Sequence, residues 1–111
     1  MTNEEIFAKS KELVEKSDVS NMEGHLAVQI NIEGEGSGAF YIELKDRQLF
    51  IEPYEFHDRD CKLTMSAKNF LKLAEGKMDA AVAFTLGKLK LEGSLEKALM
   101  FKKILDSANG K

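Results

Sequence analysis

The sequence has no tryptophan, one proline and one cysteine among its 111 residues, and each scarcity removes a class of protein. A lone cysteine, Cys61, excludes an internal disulfide and suits a reducing compartment. No stretch is long enough to span a bilayer: the longest apolar run, Ala80-Ala-Val-Ala-Phe84, falls far short of the roughly 20 residues required. The N-terminus, Met1-Thr-Asn-Glu-Glu5, is acidic where a secretory signal is basic and then apolar. The C-terminus, Ser107-Ala-Asn-Gly-Lys111, is neither an ER-retention nor a peroxisomal signal. The expected location is cytoplasmic.

What is present fits one domain over residues 1–111. Apolar residues make up 43% of the chain, enough for a core, and charged residues 32%, enough to cover a surface. The net charge of −3 is unevenly spread: residues 1–55 carry 5 basic against 12 acidic side chains, and residues 56–111 carry 11 against 7. Such polarity can orient the basic second half toward an anionic membrane, or each half can simply solvate its own surface. Nucleic acid is not an expected partner, because the chain is acidic overall and lacks a basic face interleaved with stacking aromatics.

Periodicity divides the chain. Thr2 and Glu5 form a capping box ahead of an apolar stripe of Ile6, Phe7, Ser10, Leu13 and Val14, predicting a helix that ends near Ser17. From Gly24 the period falls to two. Leu26, Val28, Ile30 and Ile32 alternate with polar or small residues, Gly34-Glu-Gly-Ser-Gly38 breaks the run, and Phe40, Ile42 and Leu44 resume it. After the turn Lys45-Asp-Arg-Gln48 a third strand begins at Leu49, with Pro53 at a strand end or sheet edge. Beyond the polar loop His57-Asp-Arg-Asp60, the residues Cys61, Leu63 and Met65 mark a fourth strand. Ser66 caps a helix stopped at Gly76, and Asp79 caps a short apolar helix to Leu86. Gly87 to Gly93 alternates as a fifth strand with Leu89 and Leu91 inward, and Ser94 opens a last helix. The fold class is α+β, a mainly antiparallel sheet with one buried face covered by helices.

Catalytic parts are scarce. His25 and His57 have no sequence-near serine or cysteine that suggests a triad. Cys61 alternates with Leu63 and Met65 on the inward face and reads as a buried, inert thiol. His57, Asp58 and Asp60 lack the spacing of a known metal site, so no metal and no cofactor is expected. Gly34-x-Gly36-x-Gly38 leads into a strand, not a helix N-terminus, and reads as a hairpin turn and not a phosphate cradle. Seven phenylalanines and five methionines remain. They either line an adaptable apolar cavity or fill an ordinary core.

The second half carries a further signal. Asp60-Cys-Lys-Leu-Thr-Met-Ser66, Phe70-Leu-Lys-Leu-Ala-Glu-Gly-Lys-Met78, Ala83-Phe-Thr-Leu-Gly-Lys-Leu-Lys-Leu-Glu-Gly93 and Ala98-Leu-Met-Phe101 together resemble the sterol carrier protein type two domain. In the first half, the glycine-rich hairpin before Phe40-Tyr-Ile-Glu-Leu-Lys-Asp46 is similar to the family's aromatic, hydrophobic and acidic strand. Two departures stand out: Asp79-Ala80 replaces the Asn-Pro of many members, and Leu86 replaces a glutamine frequent in animal members. The missing peroxisomal signal favours a prokaryotic-type cytosolic member.

The resemblance implies a five-stranded sheet covered on one face by about four helices, with an apolar tunnel between the layers. It implies a non-enzymatic carrier of fatty acid, fatty acyl-CoA, phospholipid or sterol, with an acyl lipid the better guess than a sterol. The inward residues Val28, Ile30, Phe40, Ile42, Phe70, Leu73, Val82, Leu86, Leu89, Phe101 and Leu105 are the expected lining. The short helix Ala80 to Leu86 and the last helix are the expected gates. The competing reading is a non-catalytic interaction module of the same fold with a filled core.

Overall fold

Local chemistry starts each helix. The computed structural model describes residues 1–110, and α1 (Asn3–Val14) opens on the expected capping box. The Glu5 N–H donates to Thr2 Oγ1 at 3.2 Å, and the Thr2 N–H donates to Glu5 Oε1 at 2.9 Å. The helix stops at Val14, short of the expected Ser17. Its last amides tighten into three-residue turns, Ser17 N–H to the Val14 carbonyl at 3.0 Å, and the Asp18 carboxylate then takes the Ser20 N–H at 3.1 Å. Short polar side chains offer the backbone these local partners in place of another helical turn.

The strands β1 (Leu26–Glu33), β2 (Gly38–Lys45) and β3 (Gln48–Glu52) form an antiparallel meander. The turn between β2 and β3 places Asp46 and Arg47 at φ 53° and 61°, the mirror-image geometry that matches the twist of a two-residue hairpin. Pro53 follows β3 directly, at the edge of the sheet, where its missing N–H costs no ladder bond. The strand β4 (Cys61–Ser66) pairs parallel to β1, and β5 (Lys90–Gly93) closes the order β3-β2-β1-β4-β5. Register aligns the inward residues in rows: Phe40, Ile30, Leu63 and Leu91 form one, and Ile42, Val28 and Cys61 the next.

One face of β1 was expected to be buried, yet Ala27 and Gln29 on the other face are buried too. Residues 53–60 fold across them. The Phe56 N–H donates to Gln29 Oε1 at 3.0 Å, and the Phe56 ring meets Tyr41 edge-on at 4.9 Å. Asp60 ties this segment down, taking the Ala27 N–H on its carboxylate at 2.7 Å and returning its own N–H to the Ala27 carbonyl at 2.8 Å. Its carbonyl also accepts the Ser94 N–H at 3.0 Å. Opposite Cys61, Gly93 sits at φ 99° so close that a Cβ would stand 2.5 Å from the Asp60 carbonyl oxygen. No other residue fits there without moving backbone.

Three helices complete the layer. Ser66, Asp79 and Ser94 accept the N3 amides of α2 (Ala67–Ala74), α3 (Ala80–Thr85) and α4 (Leu95–Ala108) respectively. Helices α2 and α4 lie on the sheet and α1 packs against both. Asn109 at the end of α4 donates to the Ala74 carbonyl at 3.0 Å and so clamps α2 to α4. Helix α3 is different: Ala83 is its one buried residue.

Candidate functional site

An apolar cavity of about 280 Å³ opens where α3, α4 and the edge of the sheet meet. Leu63 of β4, Leu73 of α2, Leu89 and Leu91 make its floor and back wall. Ala80, Ala81, Phe84 and Thr85 of α3 form one side. The other side is a stripe on α4: Leu95, Ala98, Leu99, Phe101, Lys102 and Leu105. The space exists because small side chains face large ones. Ala80, Ala81 and Ala98 stand where bulkier residues would reach across, and the four-residue β5 and six-residue α3 are too short to close the layer.

The lining holds two polar side chains, both engaged. The Thr85 hydroxyl donates to the Ala81 carbonyl at 3.0 Å. The Lys102 ammonium lies 3.2 Å from Asp106 Oδ2 and 4.0 Å from Asp79 Oδ2. At the rim, Phe84, Leu95 and Leu99 are more than half exposed, and Val82 and Leu86 beside them equally so. Apolar groups this open to water on one short helix and its neighbour have no contact that accounts for them. A larger depression of about 680 Å³ lies along α2, but Glu33, Glu35, Lys68, Lys72, Glu75 and Lys77 give it charged walls unsuited to a hydrocarbon.

The expected lining residues separate into three groups. Leu73, Leu89, Phe101 and Leu105 line the cavity. Val28, Ile30, Phe40, Ile42 and Phe70 are wholly buried in the core beneath the helices, with Phe40 gripped edge-on by Phe7 and Phe70 at 5.6 Å each. Val82 and Leu86 point to solvent outside the lining. Sequence reasoning missed Leu63, Ala80, Ala81, Phe84, Thr85, Leu91, Leu95, Ala98, Leu99 and Lys102. One signal was available. Helix α4 carries two apolar stripes, Phe101, Ile104 and Leu105 for the core and Leu95, Ala98 and Leu99 beside them. That is one stripe more than a core-facing helix needs.

Other chemistry-bearing groups lie elsewhere. Burial pushes the Cys61 thiol up to about 11, with the Asp60 carboxylate adding to the shift, so at neutral pH it stays protonated and a poor nucleophile. His25 sits at the surface, its Nε2 2.6 Å from Glu43 Oε2. Among the described residues, no three His, Cys, Asp or Glu side chains are placed to hold a metal ion. No helix among them is long and apolar enough to cross a membrane.

A five-stranded mixed sheet, mostly antiparallel, with four helices and an apolar cavity at one end, defines an α+β domain. The chain belongs to the SCP-2 sterol transfer family, which it matches over residues 4–106. Hydroxysteroid dehydrogenase-like protein 2 of Xenopus tropicalis is 32% identical over 109 residues, covering 97% of this chain and 26% of that protein. A fatty acid-binding protein of Yarrowia lipolytica is 43% identical over 51 residues, 46% of this chain and 40% of its own length. The chain thus spans about a quarter of the length of the first of these curated relatives. The solution structure of palmitated SCP2L2 from Aedes aegypti superposes with a TM-score of 0.69 at 20% identity, covering 95% of both chains, a likeness of fold.

Proposed function

We propose that the chain is a non-enzymatic lipid carrier that holds a long acyl chain by its tail in the α3–α4 cavity. The observation that carries this reading is a cavity walled by leucine, alanine and phenylalanine that remains open while the rest of the layer is interlocked. Family membership supports it, as do the relative named for fatty-acid binding and the neighbouring folds solved with palmitate.

Transfer then needs no chemistry. Exposing a stearoyl-length chain to water costs on the order of 14 kcal/mol at about 0.8 kcal/mol per methylene, and an apolar cavity removes most of that barrier. At about 280 Å³ the cavity is at the small end for a ligand site, so a whole chain enters only if the walls move. Helix α3, with Ala83 as its one buried residue, is the wall that yields most easily.

The same rim serves for delivery. Val82, Phe84, Leu86, Leu95 and Leu99 are exposed, with the exposed Lys88 and Lys103 near them in the chain, an arrangement suited to transient docking on an anionic bilayer, where each basic side chain adds about 1 kcal/mol. A cytoplasmic setting belongs to the same reading, since the single thiol, Cys61, is kept reduced and buried. Thermal unfolding with rising palmitate tests the proposal: a native-state binder shows a midpoint that climbs with ligand concentration. A midpoint that stays fixed at saturating palmitate, sterol and phospholipid alike would sink the carrier reading.

A further inference from the structure

The apolar cavity has a neighbour at Lys102. A second chamber of about 230 Å³ adjoins it, and Leu73, Ala80, Lys102 and Leu105 line both. Beyond that shared wall the character changes, because the second chamber adds Lys77, Asp79 and Asp106. A hydrophobic space that shares a wall with a compact polar one offers an amphiphile both of its environments, tail in the first and head in the second.

The chemistry of the polar end restricts the head. Lys77, Asp79, Lys102 and Asp106 cancel in formal charge, and Lys77 lies 3.1 Å from Glu75. The Lys102 ammonium is shared between Asp106 at 3.2 Å and Asp79 at 4.0 Å. A carboxylate head is acceptor-only. It would have to compete with Asp106 and Asp79 for Lys102 and would lie beside both as a like charge. A hydroxyl donates and accepts, so it can donate a hydrogen bond to Asp106 and accept one from Lys102 without disturbing the pair.

We infer that the chamber beside Lys102 is a head-group subsite for uncharged, hydroxyl-bearing acyl lipids, such as long-chain alcohols or monoacylglycerols, and that it disfavours the free fatty-acid anion. This rests on the carrier reading above and adds to it which head group enters first. The bound lipid then has its head at the α2–α3 junction and its tail toward the Phe84, Leu95 and Leu99 rim.

The test uses laurate, dodecanol and monolauroylglycerol, which share one chain length, each titrated below its micelle or solubility limit at neutral pH. The readout is the ratio of the laurate to the dodecanol dissociation constant, since that ratio cancels the contribution of the tail. Asp106→Asn removes one negative charge from the chamber and should lower the ratio about fivefold, with the monolauroylglycerol constant changed less than about twofold. Glu96→Gln, on α4 near the opposite rim, should leave the ratio where it was. A ratio that ignores Asp106→Asn, or that answers to Glu96→Gln instead, overturns the subsite while the carrier reading stands. Failure of all three ligands to bind a wild-type chain that takes up palmitate overturns the subsite, and failure of palmitate, sterol and phospholipid as well overturns both.

Discussion

Beneath α1 and α2 the helix–sheet layer is closed by interlocking rings: Phe40 rises from β2 between Phe7 and Phe70, and Val28, Ile30 and Ile42 surround it without exposure to solvent. Beneath α3 and α4 the residue types are as apolar, yet alanines on both helices face leucines across a gap, and Phe84, Leu95 and Leu99 are left at an open rim. Both regions hang on the same sheet and are crossed by the same helix, α4. The difference lies in side-chain reach and in cover, not in hydrophobicity. Where Phe7 and Phe70 meet Phe40 in T-shaped contacts the layer is closed; where a six-residue helix holds on by Ala83 it leaves a cavity.

That contrast predicts unequal costs. Phe40→Ala should destabilise the protein by about 3–5 kcal/mol, because the closed end cannot collapse into the vacated space, whereas Leu99→Ala at the open rim should cost under about 1 kcal/mol. Chemical denaturation of the two variants measures both, and comparable losses would erase the distinction. At the open end, backbone closeness matters more than side-chain packing. Gly93→Ala forces a Cβ against the Asp60 carbonyl oxygen at a φ of 99° and should cost about 1–3 kcal/mol, loosening β5 and with it the cavity wall. Ala98→Phe sharpens the comparison from the other side: it fills the cavity, so palmitate affinity should fall at least about tenfold while stability is kept, since the ring enters existing space. An unchanged affinity would place the lipid elsewhere.

The smallest effect belongs to the N-terminal cap. Hydrogen bonds from Thr2, backbone first and hydroxyl second, hold the Glu5 carboxyl below the ordinary glutamate range. A depressed carboxylate contributes stability that is present above its unfolded pKa and is lost as pH falls through its folded one. Thr2→Ala keeps the backbone N–H, so only the hydroxyl's share of its penalty should be present at neutral pH and fade on acidification below the ordinary glutamate range. The lost cap on the Glu5 N–H persists, and thermal melts across that interval would show both.

Much of the fold could be read from the letters because its signals are local. The caps Thr2, Ser66, Asp79 and Ser94 act within one turn, and alternation from Leu26 to Leu44 sets which face of each strand is buried. What alternation cannot say is what packs on the far side. Val28, Ile30 and Ile42 read as inward and are inward, but whether a phenylalanine or a void meets them depends on α1 and α2, dozens of residues away. The same limit hid the cover over Gln29 by residues 53–60, which shares no periodicity with β1. Phe84, Leu95 and Leu99 escaped for another reason: the apolar pattern sorts residues into core and surface, and the rim of a cavity belongs to neither.

The account stands on the tail lying in the α3–α4 cavity and not within the interlocked core. Methyl-resolved NMR of the chain titrated with palmitate addresses that directly. The prediction is saturable shifts at Leu89, Leu91, Leu95, Leu99 and Leu105 with Val28, Ile30 and Ile42 nearly still. Shifts concentrated on Val28, Ile30 and Ile42, with the leucines of α4 unmoved, would contradict it.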